Sequence, residues 1–154
     1  MDRDQLSPLE MDAWGGFLRT HTVLYRELDR RLVRGQRMSL STYDVLLRLA
    51  RVRDGLRMRD LANQVFMTTG GLTRLADRLE RDGLITRTRS AEDLRGYEAR
   101  ITPAGRRALK RANRQHLDDV RELFLDHVTH EEREVLAGLW RRLSDADAQV
   151  RQAT

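Results

Sequence analysis

Residues 56–107 read LRMRDLANQVFMTTGGLTRLADRLERDGLITRTRSAEDLRGYEARITPAGRR. In chain order this is a short helix, a tight turn, an amphipathic helix carrying arginines, a glycine break and an arginine-rich pair of strands. The first helix of the segment is expected over about Asp60–Phe66, with Leu61, Ala62 and Val65 turned inward. Thr68 is a suitable N-cap for the next helix, which should run to about Asp82 and stop at Gly83. Leu72, Leu75, Ala76 and Leu79 fall on one stripe of it; Gly70, Thr73, Arg74, Asp77, Arg78 and Arg81 lie outside that stripe. Leu84–Arg89 and Glu98–Ile101 have strand character, joined by a polar loop over residues 90–97. A basic helix beside a basic hairpin fits two adjacent grooves of a duplex. The segment therefore reads as a winged helix-turn-helix.

Charge placement agrees with this reading. The chain has 154 residues and a formal net charge of +5. Residues 57–107 hold 11 Arg against 7 Asp or Glu, so most of the excess sits in the winged segment, where a phosphate-binding surface needs it. Of the 29 basic residues all but Lys110 are Arg, a side chain suited to bidentate guanine and phosphate recognition. A GC-rich genome would also favour Arg codons everywhere, so abundance alone says little. The absence of cysteine excludes disulfides, cysteine-based zinc sites and thiol redox sensing. No signal-like amino end and no apolar run approaching ~18 residues is present, so a cytoplasmic protein with no membrane partner is expected.

Long helices flank the segment. Residues 1–10, with Pro8, read as a loose arm. From Met11, Trp14, Phe17, Leu18, His21, Leu24, Leu28 and Leu32 recur at helical spacing, giving one helix to near Gly35. Ser41-Thr42-Tyr43-Asp44 reads as a capping box opening a second helix with Val45, Leu46 and Leu49 inside, ended by Asp54-Gly55. Leu56-Arg57-Met58 suits an edge strand. Thr102-Pro103 is a strong start for a long fifth helix carrying Leu109, Ala112, Leu117, Val120, Leu123, Phe124 and Val128. Thr129–Glu132 is a further capping box, opening a sixth helix with Val135, Leu136, Leu139, Trp140 and Leu143 facing inward. The fold class is mainly α: six helices and a small β-hairpin wing.

Three stretches, LSTYDVLLRLA, GLTRLADRLERDGLI and EDLRGYEARITPAGR, resemble the MarR family of bacterial transcriptional regulators over about residues 12–147. The resemblance implies a single domain over residues 1–154, with residues 41–107 as the DNA-binding part and residues 11–35 and 103–150 as dimerisation helices. It further implies a homodimeric repressor that reads a pseudo-palindromic operator in double-stranded DNA and answers to a small-molecule effector of aromatic or phenolic character. Two positions depart from the pattern. The wing usually reads Asp-Arg-Arg and here reads Asp93-Leu94-Arg95, leaving Arg95 as the minor-groove residue with Asp93 to orient it. The position before the third helix, usually a Ser or Thr cap, is Arg59.

The candidate DNA contacts are Thr68, Thr69, Gly70, Thr73, Arg74 and Arg78 on the fourth helix, and Arg87, Arg89, Asp93 and Arg95 at the wing. Two adjacent glycines in a helix cost roughly 0.8–1.0 kcal/mol each against Ala. Close approach of a DNA backbone would explain them, as would crowding against another helix. Arg81 reads as an ordinary solvated position. For an effector the candidates are Trp14, Phe17, His21, Tyr43 and Leu46, near the first two helices, all of which also suit a core. His116, His127 and His130 lack the i, i+4 spacing of a helical ligand pair, so no metal and no cofactor is expected. No Ser-His-Asp pattern or phosphate loop points to an enzyme. The competing reading is a winged-helix protein-interaction module without DNA binding, which would not need a basic helix next to a basic wing.

Overall fold

The computed structural model describes residues 5–89 and 96–152; Asp93, Leu94 and Arg95 lie outside the described residues. The elements, in order, are α1 (Pro8–Gln36), α2 (Leu40–Ala50), β1 (Leu56–Arg57), α3 (Met58–Gln64), α4 (Thr69–Arg81), β2 (Ile85–Arg89), β3 (Tyr97–Ile101), α5 (Pro103–Leu123), a 3-10 turn (Leu125–His127) and α6 (His130–Gln152). The chain divides into two compact units, one up to Leu117 and one from Asp118 onward.

The starts of α1 and α2 differ from expectation because a better cap lies upstream. Pro8 does not sit in a loose arm. It is the first residue of α1, where its missing N–H costs nothing, and Ser7 with Glu10 forms a reciprocal capping box ahead of it. Helix α2 starts at Ser39 rather than at Ser41: Ser39 Oγ accepts the Thr42 N–H at 3.2 Å, and Asp29 Oδ1 accepts the Leu40 N–H at 2.8 Å. The helix also ends earlier than Asp54-Gly55, at Ala50. Met58 belongs to α3 rather than to the edge strand, and the cap position is Arg57, whose side chain makes no capping bond. The N-caps at Thr68 and Thr102 and the capping box at Thr129 form as expected, with Glu132 Oε2 accepting the Thr129 N–H at 2.8 Å.

Within the first unit the largest fully buried side chains are Leu32 of α1, Val45, Leu46 and Leu49 of α2, Leu61 of α3, Leu72 and Leu79 of α4, and Ile85 of β2. They hold α4 on its apolar stripe and leave its other side in solvent. The three strands form an antiparallel sheet in the order β1-β3-β2, with Leu56 opposite Ala99 and Arg87 opposite Ala99 from the other edge. Period-two alternation turns Ile85, Arg87 and Ala99 to one face. The start of α5 packs so closely on the strand pair that a Cβ at Gly105 would run into the carbonyl of Leu84.

The flanking helices depart most from the expected burial. Only the last turns of α1 reach the core, through Leu28 and Leu32. Trp14 is 55 % exposed, and Phe17, Leu18 and Tyr25 are also exposed. On α6, Val135 (69 % exposed), Trp140 and Leu143 do not face inward, nor does Leu117 on α5.

Candidate nucleic-acid interface

Helix α4 presents the surface that the sequence singles out. Thr68, Thr69, Gly70, Thr73, Arg74 and Arg78 are all exposed, on the side opposite Leu72, Leu75, Ala76 and Leu79. The cap consumes Thr68 Oγ1 for the Gly71 N–H at 3.1 Å and the Thr68 carbonyl for the Leu72 N–H at 2.9 Å. The first amides of the helix, at Thr69 and Gly70, are left pointing outward, where backbone N–H groups suit a phosphate. Thr73 Oγ1 donates to the Thr69 carbonyl at 2.8 Å, which keeps the side chain folded along its own helix. Arg74 and Arg78 rise from grooves between α4 and the start of α2; one groove, of about 250 Å³, is lined by Ser39, Ser41, Met67, Gly71 and both arginines.

The two glycines separate on inspection. A Cβ at Gly71 would come within 3.0 Å of Thr68 Oγ1, so the cap itself favours glycine there. A Cβ at Gly70 would meet nothing within 4 Å. Crowding within the chain therefore does not account for Gly70.

Arg87 is placed differently from the other candidates. Its side chain is only 19 % exposed and folds back onto α4, with Nη2 at 2.6 Å from Asp77 Oδ1 and 2.7 Å from Glu80 Oε2. Nε donates to Glu80 Oε2 at 3.0 Å, and the Arg87 backbone N–H donates to Glu80 Oε1 at 2.9 Å. These hydrogen bonds, from the guanidinium first and the backbone second, hold the Glu80 carboxyl below its ordinary value. Arg87 is thus spent on fixing the wing to α4 rather than reaching outward. The sequence contains the signal: Asp77 and Glu80 are three apart, hence neighbours on the helix surface, and the next strand brings a basic residue to them. Arg89, in contrast, is exposed at the end of β2.

The effector candidates do not come together as one pocket. Trp14, Phe17 and His21 line one exposed face of α1, with ring centroids 5.9 and 6.2 Å apart, and the run continues to Tyr25. Leu46 is fully buried and Tyr43 nearly so, its hydroxyl donating to Asn113 Oδ1 at 2.6 Å and its ring 4.4 Å from His116. Tyr43 and Leu46 are core residues of the first unit, because α5 closes over the face of α2 that carries them. No group of three or more His, Asp or Glu side chains among the described residues could hold a metal ion. No helix among them is long and apolar enough to cross a membrane.

Comparison with known proteins agrees with this geometry. The model of the MarR family matches residues 38–96, from the start of α2 into the wing. An HTH-type transcriptional regulator of Bacillus cereus is 34% identical over 103 residues, 66% of this chain and 67% of that protein. The structure of Sco3205, a MarR family transcriptional regulator from Streptomyces coelicolor in complex with DNA, superposes with a TM-score of 0.86 at 31% identity, covering 92% of this chain and 90% of that one. AbsC, a MarR family transcriptional regulator of the same organism, gives a TM-score of 0.82 at 25% identity over 96% and 97% of the two chains. With a DNA-binding winged helix and relatives of this kind along nearly its whole length, the chain belongs to the MarR family of transcriptional regulators.

Proposed function

We propose that the chain is a homodimeric repressor that places one α4 in each of two half-sites of a pseudo-palindromic operator and is released by a small molecule. The observation that carries this reading is a contrast in burial: a basic α4 whose apolar stripe is buried, and helices α1, α5 and α6 with exposed apolar positions. Trp14, Phe17 and Leu117 in the first unit, and Val135 and Leu143 in the second, each leave apolar surface that a second copy would cover. Within residues 1–154, 41–107 then serve DNA and 11–35 and 103–150 serve the dimer. Arg74 and Arg78 act in the major groove, with Thr69 and Gly70 amides on phosphate. Arg89, and Arg95 oriented by Asp93, act at the minor groove. Its role is regulatory rather than enzymatic, and its place is the cytoplasm with the DNA.

For an aromatic or phenolic effector, the exposed rings of Trp14, Phe17 and His21 offer a stacking surface, while Tyr43 and Leu46 support it only through the core. A ligand there would act on α1 and hence on the spacing of the two α4 helices. A coupling free energy of about 1–3 kcal/mol would change operator occupancy some 5–150-fold.

The experiment is a mobility-shift titration at several salt concentrations, using duplex DNA from upstream of the chain's own coding sequence. Specific retention by a species sedimenting as a dimer, weakened in Arg74→Ala, supports the reading. A stable folded monomer at micromolar concentration contradicts the dimer, and no sequence preference in DNA retention favours the protein-interaction module instead.

A further inference from the structure

Helices α3 and α4 end in the same hydrogen-bonded motif. At α4, the Gly83 N–H bonds the Glu80 carbonyl at 3.0 Å and the Leu84 N–H bonds the Leu79 carbonyl at 2.8 Å. At α3, the Phe66 N–H bonds the Asn63 carbonyl at 3.4 Å and the Met67 N–H bonds the Ala62 carbonyl at 3.0 Å. Both are Schellman turns, which need a left-handed residue just past the helix. In α4 that residue is Gly83, at φ 68°; in α3 it is Phe66, at φ 52°. A bulky side chain is strained there, while glycine adopts the conformation freely.

Packing within the chain does not offset the strain. Val65 and Met67, on either side, pack against the core, and Phe66 between them is 83 % exposed. Arg37, also left-handed at φ 52°, exposes a charged group that water solvates; Phe66 exposes a ring that water does not. The fold thus spends conformational energy to hold an aromatic ring out in solvent, two residues before the N-cap of α4. Strain kept without an internal contact to justify it points to a contact outside the chain.

We propose that Phe66 packs against the deoxyribose backbone of the operator, as an apolar contact at the wall of the groove that α4 enters. The inference rests on α4 being the DNA-reading helix. The turn lies beyond the helix end, so it meets the strand bordering the groove rather than the base edges, and a ring gains from the apolar sugar face what it cannot gain from water. The contact positions the helix and is blind to sequence.

Two variants test this. Phe66→Gly relieves the strain and should raise Tm by about 2–4 °C. Phe66→Ala keeps a Cβ in the left-handed region and should give no such rise. Both should weaken binding of a duplex selected by the wild-type protein about tenfold for each half-site, the effect of returning roughly 60 Å² of apolar surface per protomer to water. The loss should be uniform across base substitutions in the duplex, and the salt dependence unchanged because no charge is removed. Unchanged affinity in both variants overturns the inference while leaving the α4 reading intact. So does a Phe66→Gly variant that loses Tm together with affinity, since the ring would then belong to the fold. A wild-type protein that selects no duplex from a random pool overturns the DNA reading and this inference with it.

Discussion

Replacing Arg87 with Met separates two roles that an arginine on a DNA-binding wing can play. Met keeps the apolar stem and removes the guanidinium that links β2 to Asp77 and Glu80 across 2.6 and 2.7 Å. Both carboxylates are partly open to water, so each pair is screened and contributes only about 0.2–1 kcal/mol. The fork as a whole should therefore contribute about 1 kcal/mol, a fall of roughly 2–4 °C in Tm for a chain of this size. The pH dependence has a definite sign. The folded state holds the Glu80 carboxyl below its ordinary 4.5. Its stabilisation is thus complete above that pH and is lost as pH falls through the lower folded value. Wild-type and Arg87→Met stabilities, measured by urea denaturation, should differ fully at pH 7 and converge on the acid side. Operator affinity should drop because the wing loses its register against α4, yet the slope of log affinity against log salt should hold. If stability were unchanged and the slope fell by about 0.9 for each protomer, a phosphate contact would have been removed from each half-site, and the inward placement of Arg87 would be wrong for the bound state.

Gly70→Ala should stabilise the free protein by about 0.4–1 kcal/mol, since a Cβ there meets nothing in the chain, and should weaken operator binding if a DNA backbone lies against that position. Improved stability with unchanged affinity would place Gly70 outside the interface. Asp44→Asn should also stabilise, for a different reason. Burial raises the Asp44 carboxyl above its ordinary 3.8, with Arg48 and His116 opposing the shift. A raised folded value makes the wild type relatively more stable at low pH and less so as pH climbs. The gain from Asn should therefore be largest at pH 7 and fade toward pH 3; a gain independent of pH would assign it to packing instead.

The winged segment was legible because its signals are local. Thr68, Gly83 and Thr102-Pro103 set element ends by backbone chemistry, and a period of 3.6 on Leu72, Leu75, Ala76 and Leu79 set the buried stripe of α4. Where two caps competed, the sequence pattern favoured the wrong one: Ser41 to Asp44 fits a capping box, but Ser39 wins because Asp29, eleven residues upstream, satisfies the Leu40 amide. Periodicity marks the apolar face of α2 without saying what covers it: Tyr43 and Leu46 are buried, and Asn113 and His116 of α5 meet the Tyr43 side chain. The same ambiguity reversed Val135, Trp140 and Leu143, which look like core in sequence and are exposed in the chain. At Arg87 charge alone does not tell whether a guanidinium looks toward phosphate or, as in the free chain, toward Asp77 and Glu80.

Hydroxyl-radical footprinting of the protein on its selected duplex tests the central claim most directly. Two copies of α4 reading a pseudo-palindrome should protect two symmetric segments on one face of the duplex, with centres separated by one helical turn of about 10–10.5 base pairs or a multiple of it. Arg74→Ala should weaken both segments together, because each protomer supplies the same residue to its own half-site. A single protected segment, or two that respond independently to Arg74→Ala, would contradict the account.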